Sequence, residues 1–218
     1  MAGGAVRILG ATKRIRGRTV LDDVTVELPR GGVYGFSGAN GSGKTMLFRA
    51  VSGLIHLTSG YVEVFGQRLG RDVDFPPSMG LAFDSTGFWG ECTGRQNLEL
   101  LASIRRVAGA EEIERALLRV GLDPQDTRPF SAYSLGMGQR LLIAQAVMES
   151  PDLLILDEPT NTLDVDGIDL VLKLVCEERA RGATVLVSCH NMPELEALCD
   201  RRYLMAEGRL VGEVGDGI

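Results

Sequence analysis

The chain has 218 residues, 44% of them hydrophobic, enough to bury a substantial core in one or at most two domains. Acidic residues outnumber basic ones by 29 to 23, a net charge of −6 that argues against a protein that coats nucleic acid. No window reaches the ~18 apolar residues of a membrane-spanning helix. The N-terminal stretch carries Arg7, Lys13, Arg14, Arg16 and Arg18 without the apolar run of a secretory signal. Cys92, Cys176, Cys189 and Cys199 show neither a CxxC pair nor a zinc spacing, which fits buried reduced thiols in the cytosol better than a disulfide framework.

In chain order, Val24 to Leu28 and Val33 to Ser37 read as short strands, the second leading into a glycine-rich loop and, over Lys44 to Val51, the start of a helix. Tyr61 to Phe65 reads as a further strand. From about Asn97 to Val120, Leu98, Leu101, Ile104, Ile113, Leu117 and Val120 recur at helical spacing among charged residues. A helix is expected over Leu135 to Ser150, with Ser134 as N-cap and Pro151 just past its end. Leu153 to Asp157 and Thr184 to Ser188 read as buried parallel strands, separated by a helix over about Asp166 to Arg179. A hairpin over Tyr203 to Val211, turning at Glu207-Gly208-Arg209, closes the pattern and leaves no room for an added regulatory domain. The expected architecture is an α/β core from residues 1–83 and 150–218, with antiparallel N-terminal strands and a helical subdomain over 84–149.

Residues Gly38 to Thr45, GANGSGKT, have the spacing of a phosphate-holding loop. Gly38, Gly41 and Gly43 let the backbone curl with its N–H groups inward, and Lys44 and Thr45 open a helix whose positive end faces the anion. Lys44 can reach the outer phosphates, and the Thr45 hydroxyl can ligate Mg²⁺. Lysine is scarce, three residues (Lys13, Lys44, Lys173) against twenty arginines, so its presence here is the more telling. Downstream, the apolar strand LLIL delivers Asp157 and Glu158 at its C-terminal end, where open α/β sheets place ligands. In that setting Asp157 suits a Mg²⁺ site, and Glu158 suits polarising a water that attacks the γ-phosphate. The bland alternative for the pair is a surface acidic cluster.

Just upstream, Tyr133 to Arg140 reads YSLGMGQR. The ordered set of phosphate loop, Ser134 to Gln139 run, strand ending in Asp157 and Glu158, turn Asn161 to Asp164 and lone His190 resembles the ATP-binding cassette (ABC) family over essentially the whole chain. The phosphate loop alone is shared by many NTPases, whereas the ordered set is specific. The resemblance implies a RecA-like P-loop NTPase core with an N-terminal antiparallel β subdomain and an inserted helical subdomain. It also implies ATP and Mg²⁺ as cofactors, held by Gly38, Ala39, Asn40, Gly41, Ser42, Gly43, Lys44, Thr45 and Met46, with Ile15 at the adenine position. Lys44, Glu158 and His190 would serve catalysis, and Thr45, Asp157 and Asp84 the metal. Ser134 and Gly136 would meet the ATP of a second ABC subunit in a homodimer, with Asp164 across the interface.

By themselves Ser134 and Asp164 are equally ordinary helix starts, and a single histidine is more often structural. The partners implied are a second cassette and a separate transmembrane permease, with no nucleic acid, at the cytoplasmic face of the membrane.

Three departures touch named contacts. Ile15 stands where the family offers an aromatic ring, which predicts weak adenine selectivity; Asp84, in LAFDSTGF, stands where a glutamine is usual; Leu135 and Met137 replace a glycine and a glutamine. With the NTLD turn, these choices are similar to ATPase subunits of bacterial drug, bacitracin or lantibiotic exporters. Phe83 to Leu98, with Phe88, Trp89 and Thr93, falls where the family docks its membrane subunit; a hydrophobic plug between subdomains is the alternative. Competing readings are a soluble ATP-driven switch without a transport role and a degenerate nucleotide-binding module.

Overall fold

The computed structural model describes residues 4–83, 87–188 and 193–214. The chain opens with an antiparallel hairpin, β1 (Val6–Ile15) and β2 (Arg18–Leu28), then passes through β3 (Val33–Ser37) and the glycine loop into α1 (Lys44–Val51). β4 (Ser59–Val64) and β5 (Gln67–Arg68) complete a four-stranded sheet ordered β2-β1-β4-β5. β6 (Met79–Ala82) precedes three helices, α2 (Gly94–Arg105), α3 (Ala110–Arg119) and α4 (Leu135–Val147). The rest alternates: β7 (Leu153–Leu156), α5 (Val165–Ala180), β8 (Thr184–Ser188), α6 (Pro193–Ala197), β9 (Arg201–Ala206) and β10 (Arg209–Val214).

The second sheet has the order β10-β9-β3-β8-β7-β6, parallel throughout except for the edge strand β10. Its central strands are buried on both faces, which is why they read as unbroken apolar runs. Leu154, Leu156, Val185 and Val187 join a cluster with the helices α2 to α5, while Leu153, Ile155 and Leu186 join one with α1, the hairpin and Phe36. Strand pleating thus divides each run between two cores. Helix α4 lies so close to β6 that a Cβ at Gly80 would sit 1.8 Å from the Ala146 carbonyl oxygen.

The expected strands Val33 to Ser37 and Thr184 to Ser188 have those bounds in the structure, and the helix expected to start at Lys44 does so and ends at Val51. Other bounds move. The helical stretch from Asn97 to Val120 is two helices, because the chain leaves α2 through Arg106 in a left-handed conformation, φ 55°, and starts again after Gly109. The start of α2 lies at Gly94, fixed by a capping box in which the Thr93 hydroxyl accepts from the Gln96 N–H and the Gln96 side chain accepts from the Thr93 N–H. Helix α4 ends at Val147, short of the expected Ser150, whose φ of 49° is not helical. The segment around Phe88 and Trp89 divides between its two readings. Phe88 packs on Phe130 with ring centroids 5.1 Å apart, as a plug, while Trp89 is 49% exposed. The buried Asn97 amide holds this segment by accepting from the Trp89 N–H at 2.7 Å and donating to its carbonyl at 3.1 Å. Of the thiols expected to be buried, Cys176 is exposed and Cys92 and Cys199 are half-buried.

Candidate phosphate-binding active site

The glycine loop leaves β3 at the C-terminal edge of the parallel sheet, beside the C-terminal ends of β7 and β8. Two glycines are obligatory there. At Gly38, φ 142°, a Cβ would lie 2.2 Å from the Met205 carbonyl oxygen, and at Gly43, φ 110°, it would press on the Val20 carbonyl oxygen at 3.1 Å. Gly43 is also the N-cap of α1 and offers no side-chain acceptor, so the first N–H groups of that helix are left for an anion. Lys44 is 4% exposed, and its ammonium folds back over the loop to donate to Gly38 O at 2.7 Å and Ala39 O at 3.3 Å.

Behind the loop stands a hydrogen-bonded chain of side chains. The Thr45 hydroxyl donates to Asp157 Oδ2 at 2.6 Å, and the Ser188 hydroxyl donates to Asp157 Oδ1 at 2.7 Å. The backbone N–H of Glu158 donates to Ser188 Oγ at 2.5 Å, and the Asn161 amide donates to Glu158 Oε2 at 2.5 Å. Glu158 itself has φ 49°, a conformation that costs a non-glycine residue about 1–2 kcal/mol.

The loop, Asp157 and Glu158 face a cleft of about 930 Å³ lined by Arg18, Thr19 and Val20, by Ala39 to Met46, by Asp157 and Glu158, and by Ala206 to Gly208. The β9–β10 turn is tied to the loop by the Gly208 N–H, which donates to Ser42 O at 2.8 Å. The Ser42 hydroxyl is buried and, among the described residues, without a partner, a polar atom suited to a phosphate oxygen. Thr45 and Asp157 together offer the hard oxygen donors that Mg²⁺ prefers when it arrives with phosphates.

The cleft gathers Ala39, Asn40, Gly41, Ser42, Gly43, Lys44, Thr45, Met46, Asp157 and Glu158, and Gly38 joins them through its carbonyl. Ile15 is not among the lining residues: it ends β1, 41% exposed, while Arg18 to Val20 form that wall. Asp84 and His190 lie outside the described residues. Ser134 and Gly136 lie at the start of α4, away from the cleft. The Ser134 hydroxyl accepts from the Met137 N–H at 3.2 Å, and Gly136 faces the Thr162 backbone. Asp164 caps α5, accepting from the Gly167 N–H at 2.9 Å and from Arg140 Nη2 at 2.7 Å; that N–H first, and then the guanidinium, hold its carboxyl below the usual range. Sequence reasoning missed Arg18, Thr19, Val20, Ser188 and the 206–208 turn as parts of the site, and read Asn161 only as the start of a motif turn. Of the missed parts only the 206–208 turn, legible as Glu207-Gly208, left a local signal.

A parallel sheet with a glycine loop at its C-terminal edge, a buried lysine on that loop and a paired aspartate and glutamate opposite defines a P-loop nucleoside triphosphatase. Within that class the chain belongs to the ABC transporter family, whose model matches residues 21–161. The chain is an ABC-type ATPase subunit. It is 41% identical over 205 residues to the ABC transporter ATP-binding protein YybJ of Bacillus subtilis, covering 94% of each chain. It is 38% identical to the bacitracin transport ATP-binding protein BcrA of Enterococcus faecalis, covering 93% of this chain and 67% of that one. With the lantibiotic transport ATP-binding protein SrtF of Streptococcus pyogenes the identity is 33%, over 95% and 90% of the two chains. An ATP-binding subunit of an ABC transporter superposes with a TM-score of 0.86 at 27% identity, over 97% of this chain and 90% of that one. A dimeric bacterial ABC transporter cassette shares the fold, with a TM-score of 0.87 at 20% identity, over 98% and 100%.

Proposed function

We propose that this ATPase powers a separate membrane permease, working as an exporter of a drug, a peptide or a lipid-like compound from the cytoplasmic face. The observation that carries the reading is the joined hydrogen-bond chain from Thr45 through Asp157 and Ser188 to Glu158 at the mouth of the phosphate loop. It supports hydrolysis over passive nucleotide binding. The likeness to bacitracin and lantibiotic transport ATP-binding proteins supports export. Among the described residues no helix is long and apolar enough to cross a membrane, so the permease would be a different chain or segment.

In the proposed reaction Lys44 and the first N–H groups of α1 hold the β- and γ-phosphates, a fixed electrostatic cradle. Thr45 and Asp157, with Asp84, would hold Mg²⁺, which neutralises charge on the phosphates when bound. The Glu158 carboxylate orients and polarises the attacking water, and His190 supports the γ-phosphate. Release of Glu158 from the Asn161 amide frees its Oε2 to face that water. Ser134 and Gly136 at the start of α4 present backbone N–H groups to the ATP of a second copy, so that two chains close on two nucleotides. Opening after hydrolysis then drives the permease.

Affinity purification of the chain from solubilised membranes tests the reading. A multispanning protein should co-purify in stoichiometric amount; a purely soluble partner would favour the ATP-driven switch instead. The second-copy assignment predicts that Glu158→Gln with ATP elutes as a dimer in light scattering, and a persistent monomer would count against it.

A further inference from the structure

Ser188 holds two carboxylate-bearing residues at once, yet sequence alone gave it only the last place in an apolar strand. In the parallel register of β7 and β8, Leu156 stands opposite Val187, so Asp157, just past β7, comes beside Ser188, the last residue of β8. Ser188 is 1% exposed. Its single hydroxyl hydrogen goes to Asp157 Oδ1 at 2.7 Å, and its oxygen accepts the Glu158 N–H at 2.5 Å. Because Thr45 takes Oδ2 at 2.6 Å, both oxygens of Asp157 are held and the plane of that carboxylate is fixed. The same hydroxyl anchors the Glu158 backbone in its left-handed conformation, φ 49°, from which the side chain projects toward Asn161.

We propose that Ser188 is a positioning residue for hydrolysis. Through one hydroxyl it orients the carboxylate that faces the metal and fixes the backbone from which the water-polarising carboxylate projects. Its partners are both terminal to β7, so a displacement of β8 against β7 would disturb metal and water positioning together. Removing the hydroxyl leaves the half-buried Glu158 N–H without its acceptor and frees Oδ1 to rotate. The proposal rests on the ATPase assignment and adds to it a residue outside the recognised motifs.

The test compares the purified chain with Ser188→Ala and Ser188→Thr. Mn²⁺ affinity in the presence of a non-hydrolysable ATP analogue is read by electron paramagnetic resonance, beside kcat and KM for ATP. With alanine, Mn²⁺ affinity and kcat should each fall about tenfold to a hundredfold, the range for losing a partner that orients a metal ligand. KM for the metal–nucleotide should rise in step with the lost metal affinity, whereas affinity for the nucleotide without metal should change by less than about threefold, since the lysine and helix-terminal contacts to phosphate are untouched. Threonine keeps the hydroxyl and should restore both quantities to within about threefold. Alanine that matches the parent in Mn²⁺ affinity and kcat overturns the proposal. So does threonine as impaired as alanine with a native circular-dichroism spectrum, because space and not the hydroxyl would then be what matters. A parent chain that binds neither the analogue nor Mn²⁺ would overturn the ATPase assignment and this proposal with it.

Discussion

Helices α1, α4 and α5 all point their N-termini toward the functional end of the molecule, but they are finished differently. Helix α4 has Ser134 bonded to the Met137 N–H, and α5 has Asp164 bonded to the Gly167 N–H. Helix α1 starts after Gly43 with no side-chain cap, and its first residue, Lys44, carries a positive ammonium folded over the loop. A capping carboxylate there would compete with phosphate for the same N–H groups. The difference teaches that an anion site is built partly by leaving a helix end unfinished, and that α4 carries its own internal cap whatever else it meets. Exposure follows the same division: Lys44 and Asp157 are 4% and 5% exposed, whereas Leu135 and Val165, the first residues of α4 and α5, are 79% and 75% exposed.

Four experiments strain that comparison, in descending order of effect. Glu158→Gln leaves the α1 end intact, so ATP affinity should persist while kcat falls about 10²- to 10⁴-fold, the usual span for a positioned base. An ATPase rate unchanged by the substitution would remove Glu158 from the chemistry. Lys44→Met takes away the positive charge at the unfinished helix, and ATP affinity by calorimetry should drop roughly 10²-fold or more. At α4, Ser134→Ala should cost about 1 kcal/mol of stability, typical of a lost N-cap. For a chain of this size that lowers Tm by about 2–4 °C. ATP binding to the isolated chain should be unaffected, since Ser134 does not line the cleft.

The smallest effect concerns acid. The Asp164 carboxyl is held low in the folded chain by the Gly167 N–H and then by Arg140, against an unfolded value of about 3.9. Its stabilisation is therefore complete above that unfolded value and is lost as pH falls through the lower folded one. Acid unfolding followed by circular dichroism should be less steep below about pH 4 in Asp164→Ala than in the parent. Above pH 5 the difference between the two should not vary with pH.

The sequence was most informative where one local rule governs. Buried parallel strands need continuous apolar residues, and Val33–Ser37 and Thr184–Ser188 obey that rule to the residue. The hairpin was harder. β1 carries register shifts after Ile8 and Ala11 and ends in a basic stretch, so its alternation is broken; in β2, Asp22 and Asp23 interrupt the apolar pattern before Val24. Ile15 occupies the position to which motif order points, yet the wall of the cleft is made by Arg18, Thr19 and Val20 on the far side of the turn. Ser188 left no trace in the sequence because its partners are set by strand register, not by spacing, and Asn161, legible as the start of a motif turn, gave no sign of its bond to Glu158. A serine ending an apolar strand looks the same whether or not a carboxylate stands beside it.

Strand β3 imposes an order on how the molecule comes to exist. It is complete by Ser37, yet its two neighbours in the sheet are β8, where Val33 pairs with Val185, and β9, where Tyr34 pairs with Arg201. More than 150 residues separate each pair, so the strand that carries the glycine loop cannot be seated until nearly the whole chain has been made. During synthesis an apolar strand with unpaired edges must wait, a state open to aggregation. Nucleotide binding thus becomes a late event in folding, and one that marks a finished molecule: a chain cut before β8 would keep its phosphate-loop sequence but have no sheet to hold the loop in shape.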